Sequence, residues 1–206
     1  SNAVTVDIQT SLLTTTGASN CGSGNLTVSA TSSCNVPGSS ISWFANATGG
    51  TALASTSSYT ANYSASTTVY AQENFIGGET VYGNESTGTA SRGLQFTLFT
   101  DITLNSVNIE SNGNGNITIE LWNATTNVPL VVNGNTYSAT VPVVTGNNVE
   151  TLGWFIPAGV GYRLVVTNMG GRNLTRTPNF TFPESLPGVG SITGNVDTGG
   201  ADRYNI

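Results

Sequence analysis

Hydrophobic and polar residues alternate with a period of two along much of the chain. Two stretches show this most clearly, NLTVSA at residues 25–30 and NITIELW at residues 116–122. The apolar positions are Leu26, Val28 and Ala30 in the first stretch and Ile117, Ile119 and Leu121 in the second. Such alternation is typical of a β-strand with one buried face. Strand-like stretches recur about every 8–12 residues between Gly, Asn and Pro turns, which predicts an all-β sandwich or barrel.

The alternation is interrupted over residues 73–91, where Gly, Ser and Thr accumulate. We interpret this segment as containing a linker, with a strand at either end. The predicted organisation is an N-terminal domain at residues 4–81, a linker at 82–91 and a C-terminal domain at 92–206. Two all-β domains in tandem are therefore expected.

Charge narrows the range of partners. Only 8% of the residues are charged, the formal net charge is −6, and the five cations are all arginines. Without a basic cluster, nucleic acid is excluded as a partner, and so are anionic membrane surfaces. No apolar run approaches the roughly 20 residues of a membrane-spanning helix, so we expect no membrane insertion. The lysine-free, Ser- and Thr-rich composition favours an extracellular or cell-surface location.

The residue types present argue against catalysis. The chain has no histidine, which rules out Ser-His-Asp and Cys-His nucleophilic sites, and its two cysteines cannot complete a tetrahedral zinc site without carboxylates. Four carboxylates could in principle form a glycosidase pair, but none lies in a recognisable cleft-forming context. They are Asp101, Glu120, Glu184 and Asp197. We predict that the protein is not an enzyme and binds no cofactor.

Two further pairs of residues have candidate chemistry. Asp197 and Asp202, in DTGGAD, offer oxygen ligands of the kind that calcium accepts, but they lack the spacing of an EF-hand. We assign no metal and retain this pair as the calcium candidate. Cys21 and Cys34 could close a short disulfide loop. They could equally remain two thiols, because a straight strand between them would hold them too far apart.

The N-terminal domain contains an aromatic pattern typical of an immunoglobulin-like sandwich. SISWF would be strand C with Trp43, and TTVYAQ would be strand F with Tyr70, the two packing anchors of that fold. NLTVSA and SYTANY would be strands B and E. Gln72 occupies the position of the second sheet-bridging cysteine, so that disulfide is absent.

Three motifs in residues 43–72 extend this similarity to a family. They are Trp43-Phe44, Gly49-Gly50 and Thr67-Thr68-Val69-Tyr70. The segment resembles the Ig-like repeats of secreted, surface-associated multidomain proteins of gliding and related Bacteroidetes, of the type IX secretion type. The resemblance implies a bacterial surface protein and a buried, structural Trp43.

The C-terminal domain resembles a second module that recurs beside those repeats. The matching motifs are residues 104–107, 118–121, 157–164 and 187–194. The resemblance implies a jelly-roll-like β-sandwich. Members of that family usually finish with an aromatic-rich strand, whereas this sequence ends in DRYNI. We therefore expect the final strand to be short or missing.

Alternation also assigns the aromatic residues of the C-terminal domain to faces. If Ile117, Ile119 and Leu121 point inward, Glu120 and Trp122 point outward, as in a sugar-binding platform. The alternative is that Trp122 ends its strand beneath a loop or the neighbouring domain. The same reasoning places Trp154 in the core with Phe155 outward. It also places Tyr162, Leu164 and Val166 inward with Arg163 outward.

A loop with two arginines is the other candidate binding site. GGRNLTRTPNFTFP contains Arg172, Arg176 and Phe180, and two guanidinium groups could hold a carboxylate or a sugar. The alternative is that ion pairs fasten the loop.

Two functions follow from these observations. The first is a non-catalytic extracellular module of a larger surface or secreted protein, acting as a structural spacer or adhesin segment among neighbouring domains. It predicts aromatic residues buried in both domains. The second is a carbohydrate-binding accessory module for a polysaccharide or other surface glycan, which predicts at least two exposed, coplanar rings. Alternation supplies one such ring, Trp122.

Overall fold

The computed structural model describes residues 13–32, 39–47, 50–75, 85–86, 92–171, 173–196, 202–204 and 206. All the regular elements among them are strands, which confirms the predicted all-β class. In this part of the chain no helix has the length and apolar character needed to cross a membrane. The chain divides into two compact units, Ser1–Gly77 and Gly78–Ile206.

The first unit contains two antiparallel sheets. Its strands are β1 (Leu13–Thr16), β2 (Gly24–Ser32), β3 (Ser40–Phe44), β4 (Ser58–Tyr63) and β5 (Tyr70–Asn74). One sheet has the order β1-β2-β4, and the other pairs β3 with β5. The predicted strands B and E thus share a sheet, while C and F form the other, as in an immunoglobulin-like sandwich. Along β2, Leu26, Val28 and Ala30 are the more buried positions, while Asn25 and Thr27 are exposed.

Trp43 is the main packing residue of the first unit. Its side chain is 1% exposed and stacks on Tyr59, with ring centroids 6.4 Å apart. Its indole Nε1 donates a hydrogen bond of 2.9 Å to the Thr56 carbonyl. Trp43 lies opposite Ala71 in the β3–β5 ladder, so the neighbouring Tyr70 points to the other face and is 40% exposed. The prediction that Tyr70 is a packing anchor is therefore wrong.

The second unit has a larger antiparallel architecture. Its first strands are β6 (Glu85–Ser86), β7 (Arg92–Leu98), β8 (Ile102–Ser111), β9 (Gly115–Asn123), β10 (Val128–Pro129), β11 (Val131–Val132) and β12 (Asn135–Thr136). They are followed by β13 (Ser138–Val143), β14 (Gly146–Ile156), β15 (Gly159–Asn168), β16 (Thr175–Thr177), β17 (Glu184–Leu186), β18 (Gly190–Asn195) and β19 (Arg203–Tyr204).

The large sheet of this unit has the order β10-β9-β15-β7-β18-β17, with β13 also paired to β9. Two smaller sheets are formed by β8 with β14 and by β19-β16-β6, and β11 pairs with β12. The long strands alternate between sheets along the chain, since β7, β9 and β15 belong to the large sheet and β8 and β14 to another. Alternation of this kind is the winding of a jelly-roll-like sandwich.

One contiguous core fills the second unit. Ile117, Ile119 and Leu121 of β9 are at most 1% exposed, as alternation predicted. Tyr162, Leu164 and Val166 of β15 are also buried in this core. Trp154 stacks on Tyr137 with centroids 5.4 Å apart, whereas Phe155 is exposed. The pairing of β14 with β8 shifts register between Thr151 and Trp154, and Gly153 in that interval has a φ of 67°. This irregularity accompanies the inward orientation of Trp154. The inward and outward predictions for these residues are confirmed.

Three further predictions concern segments that are only partly described. Of the predicted linker at residues 82–91, Glu85 and Ser86 form β6 and pair with β16; the rest lies outside the described residues. Cys21 is exposed, but its candidate partner Cys34 lies outside the described residues, and the disulfide stays a prediction. Near the end of the chain, β19 is a two-residue strand whose Tyr204 is buried in the core.

We expect Trp43→Ala to lower the free energy of unfolding of the first unit by about 3–5 kcal/mol, because it removes a buried ring and its hydrogen bond. Hydrogen-exchange mass spectrometry should show lost protection in peptides of residues 13–75 and retained protection in residues 92–171. Tyr70→Ala is the matched control and should change stability by less than about 0.5 kcal/mol. Equal losses in the two variants would contradict the assignment of Trp43 as the anchor.

We expect the stability of the second unit to fall at alkaline pH because of Tyr162. Its hydroxyl donates to the Pro157 carbonyl at 2.9 Å. Burial first, and the Asp101 carboxylate second, raise the pKa of Tyr162 above its ordinary value of 10.0. The unfolded tyrosine therefore ionises first, so the stability linked to this group is complete below pH 10 and is lost as pH rises through the folded-state pKa.

Tyr162→Phe should reduce this alkaline loss of stability, at a cost of about 1 kcal/mol at neutral pH for the missing hydrogen bond. Urea unfolding at neutral and strongly alkaline pH measures the difference, with Tyr70→Phe as the control for ionisation elsewhere. An alkaline loss as large in Tyr162→Phe as in the wild type would show that this residue is not its source.

Candidate functional site

Strand β9 places Glu120 and Trp122 on the outer face of the large sheet. The inner positions of the strand are filled by core residues, and successive side chains of a strand point to opposite faces. Both outward side chains are half-buried rather than covered. The predicted outward orientation of Trp122 is thus confirmed.

Glu120 holds the indole ring of Trp122 in one orientation. The indole Nε1 donates to Glu120 Oε2 at 2.7 Å. The other carboxylate oxygen, Oε1, accepts a longer hydrogen bond of 3.4 Å from Ser138 Oγ on β13. Since residues i and i+2 of a strand share a face, this contact runs along the strand and fixes the ring against the sheet. The aromatic platform is therefore pre-oriented.

Arg163 lies beside Trp122 on the neighbouring strand. The two residues are directly paired in the β9–β15 ladder, and Gln95 of β7 is paired to Arg163 on its other side. Arg163 Nε donates to Gln95 Oε1 at 3.3 Å, and Nη1 donates to Asn127 Oδ1. Both acceptors are neutral amides. Arg163 takes part in neither of the ion pairs seen in the described part of the chain.

The turn after β9 positions Asn127 for this contact. The side-chain Oδ1 of Asn123 accepts hydrogen bonds from the backbone N–H groups of Thr125 and Thr126 at 2.8 and 3.1 Å. The backbone carbonyl of Asn123 accepts a hydrogen bond of 2.9 Å from the N–H of Asn127. Asn127 has a φ of 55°, in the left-handed region that asparagine tolerates better than most residues. The turn is therefore held by its own side chains, and it presents an amide oxygen to Arg163.

We refer to Trp122, Glu120, Arg163, Gln95 and Asn127 as the outer-face site. The site combines an aromatic ring, a guanidinium group, a carboxylate and two amides on rigid strands and one short turn. Val165, the residue of β15 paired with Glu120, is fully buried outside the main core cluster. Glu120, Trp122 and Arg163 themselves are half-buried.

Only part of this site can be predicted from the sequence. Alternation along the strands places Glu120, Trp122 and Arg163 outward. The contacts that join Arg163 to Trp122, Gln95 and Asn127 depend on which strands are neighbours and in what register. That information is not present in the local sequence pattern.

The arginine loop is held by contacts with residues that follow it in the chain. Arg176 forms an ion pair with Asp202, and Arg203, which is 2% exposed, donates through Nε to Glu184 Oε2 at 2.7 Å. The Arg203 guanidinium lies 5.8 Å from the centroid of the Phe180 ring. These contacts match the alternative in which ion pairs fasten the loop. A ligand-binding role for Arg176 and Phe180 stays a prediction, and Arg172 lies outside the described residues.

The calcium candidate gains no support from the described residues. Asp202 pairs with Arg176, and Asp197 lies outside the described part of the chain. No group of three or more potential metal-ligating side chains occurs among the residues that the structure describes.

Comparison with known families supports the assignment of the first unit. Residues 9–80 match the family described as Ig-like domain, CHU_C associated. This match supports an Ig-like module of the type found in Bacteroidetes proteins, and Ig-like domains of this kind are typically non-catalytic. No curated protein and no solved structure matches the chain. The resemblance proposed for residues 92–206 stays a prediction.

We expect Arg203→Gln to destabilise the second unit by about 3 kcal/mol, because it leaves the Glu184 carboxylate poorly solvated and without its charged partner. Arg176→Gln, whose ion pair is more exposed to water, should cost less than about 1 kcal/mol. Urea unfolding of the two variants measures both effects. Wild-type stability in Arg203→Gln would mean that this ion pair does not hold the loop.

Proposed function

We propose that the chain is a non-catalytic, extracellular module of a larger bacterial surface or secreted protein, in which it acts as a spacer or adhesive segment. The observation that supports this most directly is the use of aromatic residues inside each unit. Trp43 stacks on Tyr59 in the first unit, and Trp154 stacks on Tyr137 in the second. Both tryptophans are buried. Rings used in this way stabilise the fold and are not accessible to a ligand.

The outer faces of the sheets also suit a spacer. Cross-strand pairs of uncharged polar side chains hydrogen-bond to each other there. They include Thr27–Thr60 at 2.7 Å, Asn25–Asn62 at 3.2 Å and Thr118–Thr140 at 2.9 Å. Such pairs stabilise neighbouring strands without adding charge. Surface pairs of this kind support the spacer role, because they stabilise the sheets without offering a charged binding site.

Carbohydrate binding is the second candidate, and the outer-face site favours it. Trp122 is half-buried with its indole fixed by Glu120, and Arg163 lies on the adjacent strand. Sugar rings stack their C–H faces on aromatic rings, while carboxylates, amides and guanidinium groups bind the hydroxyls. Retention of the chain on insoluble polysaccharides, and its loss in Trp122→Ala, tests this candidate.

The spacer proposal predicts a mechanical response. When the full chain is stretched from its two ends by atomic force microscopy, we expect two separate unfolding events. At about 3.6 Å per residue, the units Ser1–Gly77 and Gly78–Ile206 extend to roughly 28 and 46 nm, and each event should release that length less the end-to-end distance of the folded unit. Trp43→Ala should lower the unfolding force of the shorter event and leave the longer one unchanged. Extension without force peaks would contradict a spacer that resists stretching.

A further inference from the structure

We propose that the outer-face site binds an acidic polysaccharide, with the carboxylate of a uronic acid on Arg163 and a sugar ring on Trp122. This inference rests on the second candidate function, carbohydrate binding, and adds the chemical class of the sugar. The inference depends on the hydrogen-bond partners of Arg163, which differ from those of Arg176 and Arg203 in the same unit.

The charge of Arg163 is held in place without being neutralised. Arg176 and Arg203 each pair with a carboxylate. Arg163 instead donates to the amide oxygens of Gln95 and Asn127, which fix the guanidinium group but carry no opposing charge. Arg163 is thus a half-buried cation that neutral groups hold in position, in a chain whose formal net charge is −6. An anionic ligand would complete the arrangement.

The guanidinium group also has donors left for a ligand. A guanidinium carries five N–H donors in a rigid planar fork. Arg163 uses one on Nε and one on Nη1 for the two amides, so three of the five remain, one on Nη1 and two on Nη2. Two parallel N–H groups, one from each terminal nitrogen, match the two oxygens of a carboxylate. This geometry favours a planar carboxylate over a lone hydroxyl.

The position of Trp122 identifies the carrier of that carboxylate as a sugar. Trp122 and Arg163 are directly paired on adjacent strands, which lie about 4.8 Å apart. A ligand on Arg163 would therefore lie against the indole, whose orientation Glu120 fixes. Glu120 is two residues away along β9, and both its oxygens already accept hydrogen bonds. Its donors are neutral, so Glu120 keeps its charge, and its role is to hold the indole ring while the guanidinium group binds the carboxylate of the ligand.

Binding of uronic-acid polymers to the full chain tests the proposal. The probe is polygalacturonate, and its methyl-esterified form is the neutral control of the same backbone. We expect affinity electrophoresis to show retardation by polygalacturonate that falls with added salt and is lost on esterification. Arg163→Gln should weaken binding about ten-fold or more, as expected for loss of a charge-assisted pair. Trp122→Ala should weaken it as well.

Matched variants separate the site from general charge and folding effects. Arg176→Gln removes the same charge from the same unit in the arginine loop, the other candidate site, and wild-type binding in this variant would assign the polymer to the outer-face site. Arg163→Lys keeps the charge but loses the fork, and it should bind more weakly than the wild type. Circular dichroism of each variant confirms that its β-structure is intact.

Three results would overturn the proposal in distinguishable ways. Equal binding of the esterified and acidic polymers, abolished by Trp122→Ala, would retain a carbohydrate site and refute the acidic ligand. Stronger retardation by dextran sulfate than by polygalacturonate would indicate a general anion site without carboxylate recognition. No retardation by any acidic or neutral polysaccharide would refute both the inference and the carbohydrate-binding function, and would leave the spacer function in place.

Discussion

The burial of one row of aliphatic side chains on β9 is the constraint on which the second unit depends. Ile117, Ile119 and Leu121 lie in the core of the sandwich and are almost completely shielded from water. Because side chains alternate along a strand, their burial forces Glu120 and Trp122 onto the outer face. A slip of one residue in register would expose the core row and bury the polar one, so the register is strongly specified. The outer-face site is thus a consequence of the core.

The fold class could be predicted from the sequence because it depends on local alternation, which is visible in a single strand. The assignments of Trp154 and Tyr162 to the interior succeeded for that reason, whereas that of Trp43 came from the immunoglobulin-like aromatic pattern. The role assigned to Tyr70 failed because β5 places the small Ala71, not the larger ring, opposite Trp43. The pairing of Arg163 with Trp122 could not be predicted, because it depends on the register of β9 and β15, strands joined through other elements.

The arginines of the second unit show two different uses of the same side chain. Arg203 is buried with a carboxylate partner, and in that position its charge serves the structure of the loop. Arg163 is held by amides, which orient the fork and preserve its charge. The arginine loop stands out in the sequence because two cations lie close together there. Asp202, the partner of Arg176, comes from another segment, so this ion pair is not apparent from the sequence of the loop itself.

The central claim is that β9 has a structural inner face and a ligand-binding outer face, and NMR of the tryptophan indoles tests it most directly. The three Nε1–H groups have different environments: Trp43 donates to a backbone carbonyl, Trp122 donates to a carboxylate, and Trp154 lies in the core. Titration with a short oligogalacturonide should shift the Trp122 indole resonance and the Arg163 Nε resonance, leaving those of Trp43 and Trp154 unchanged. An unmoved Trp122 resonance at saturating ligand would contradict the account.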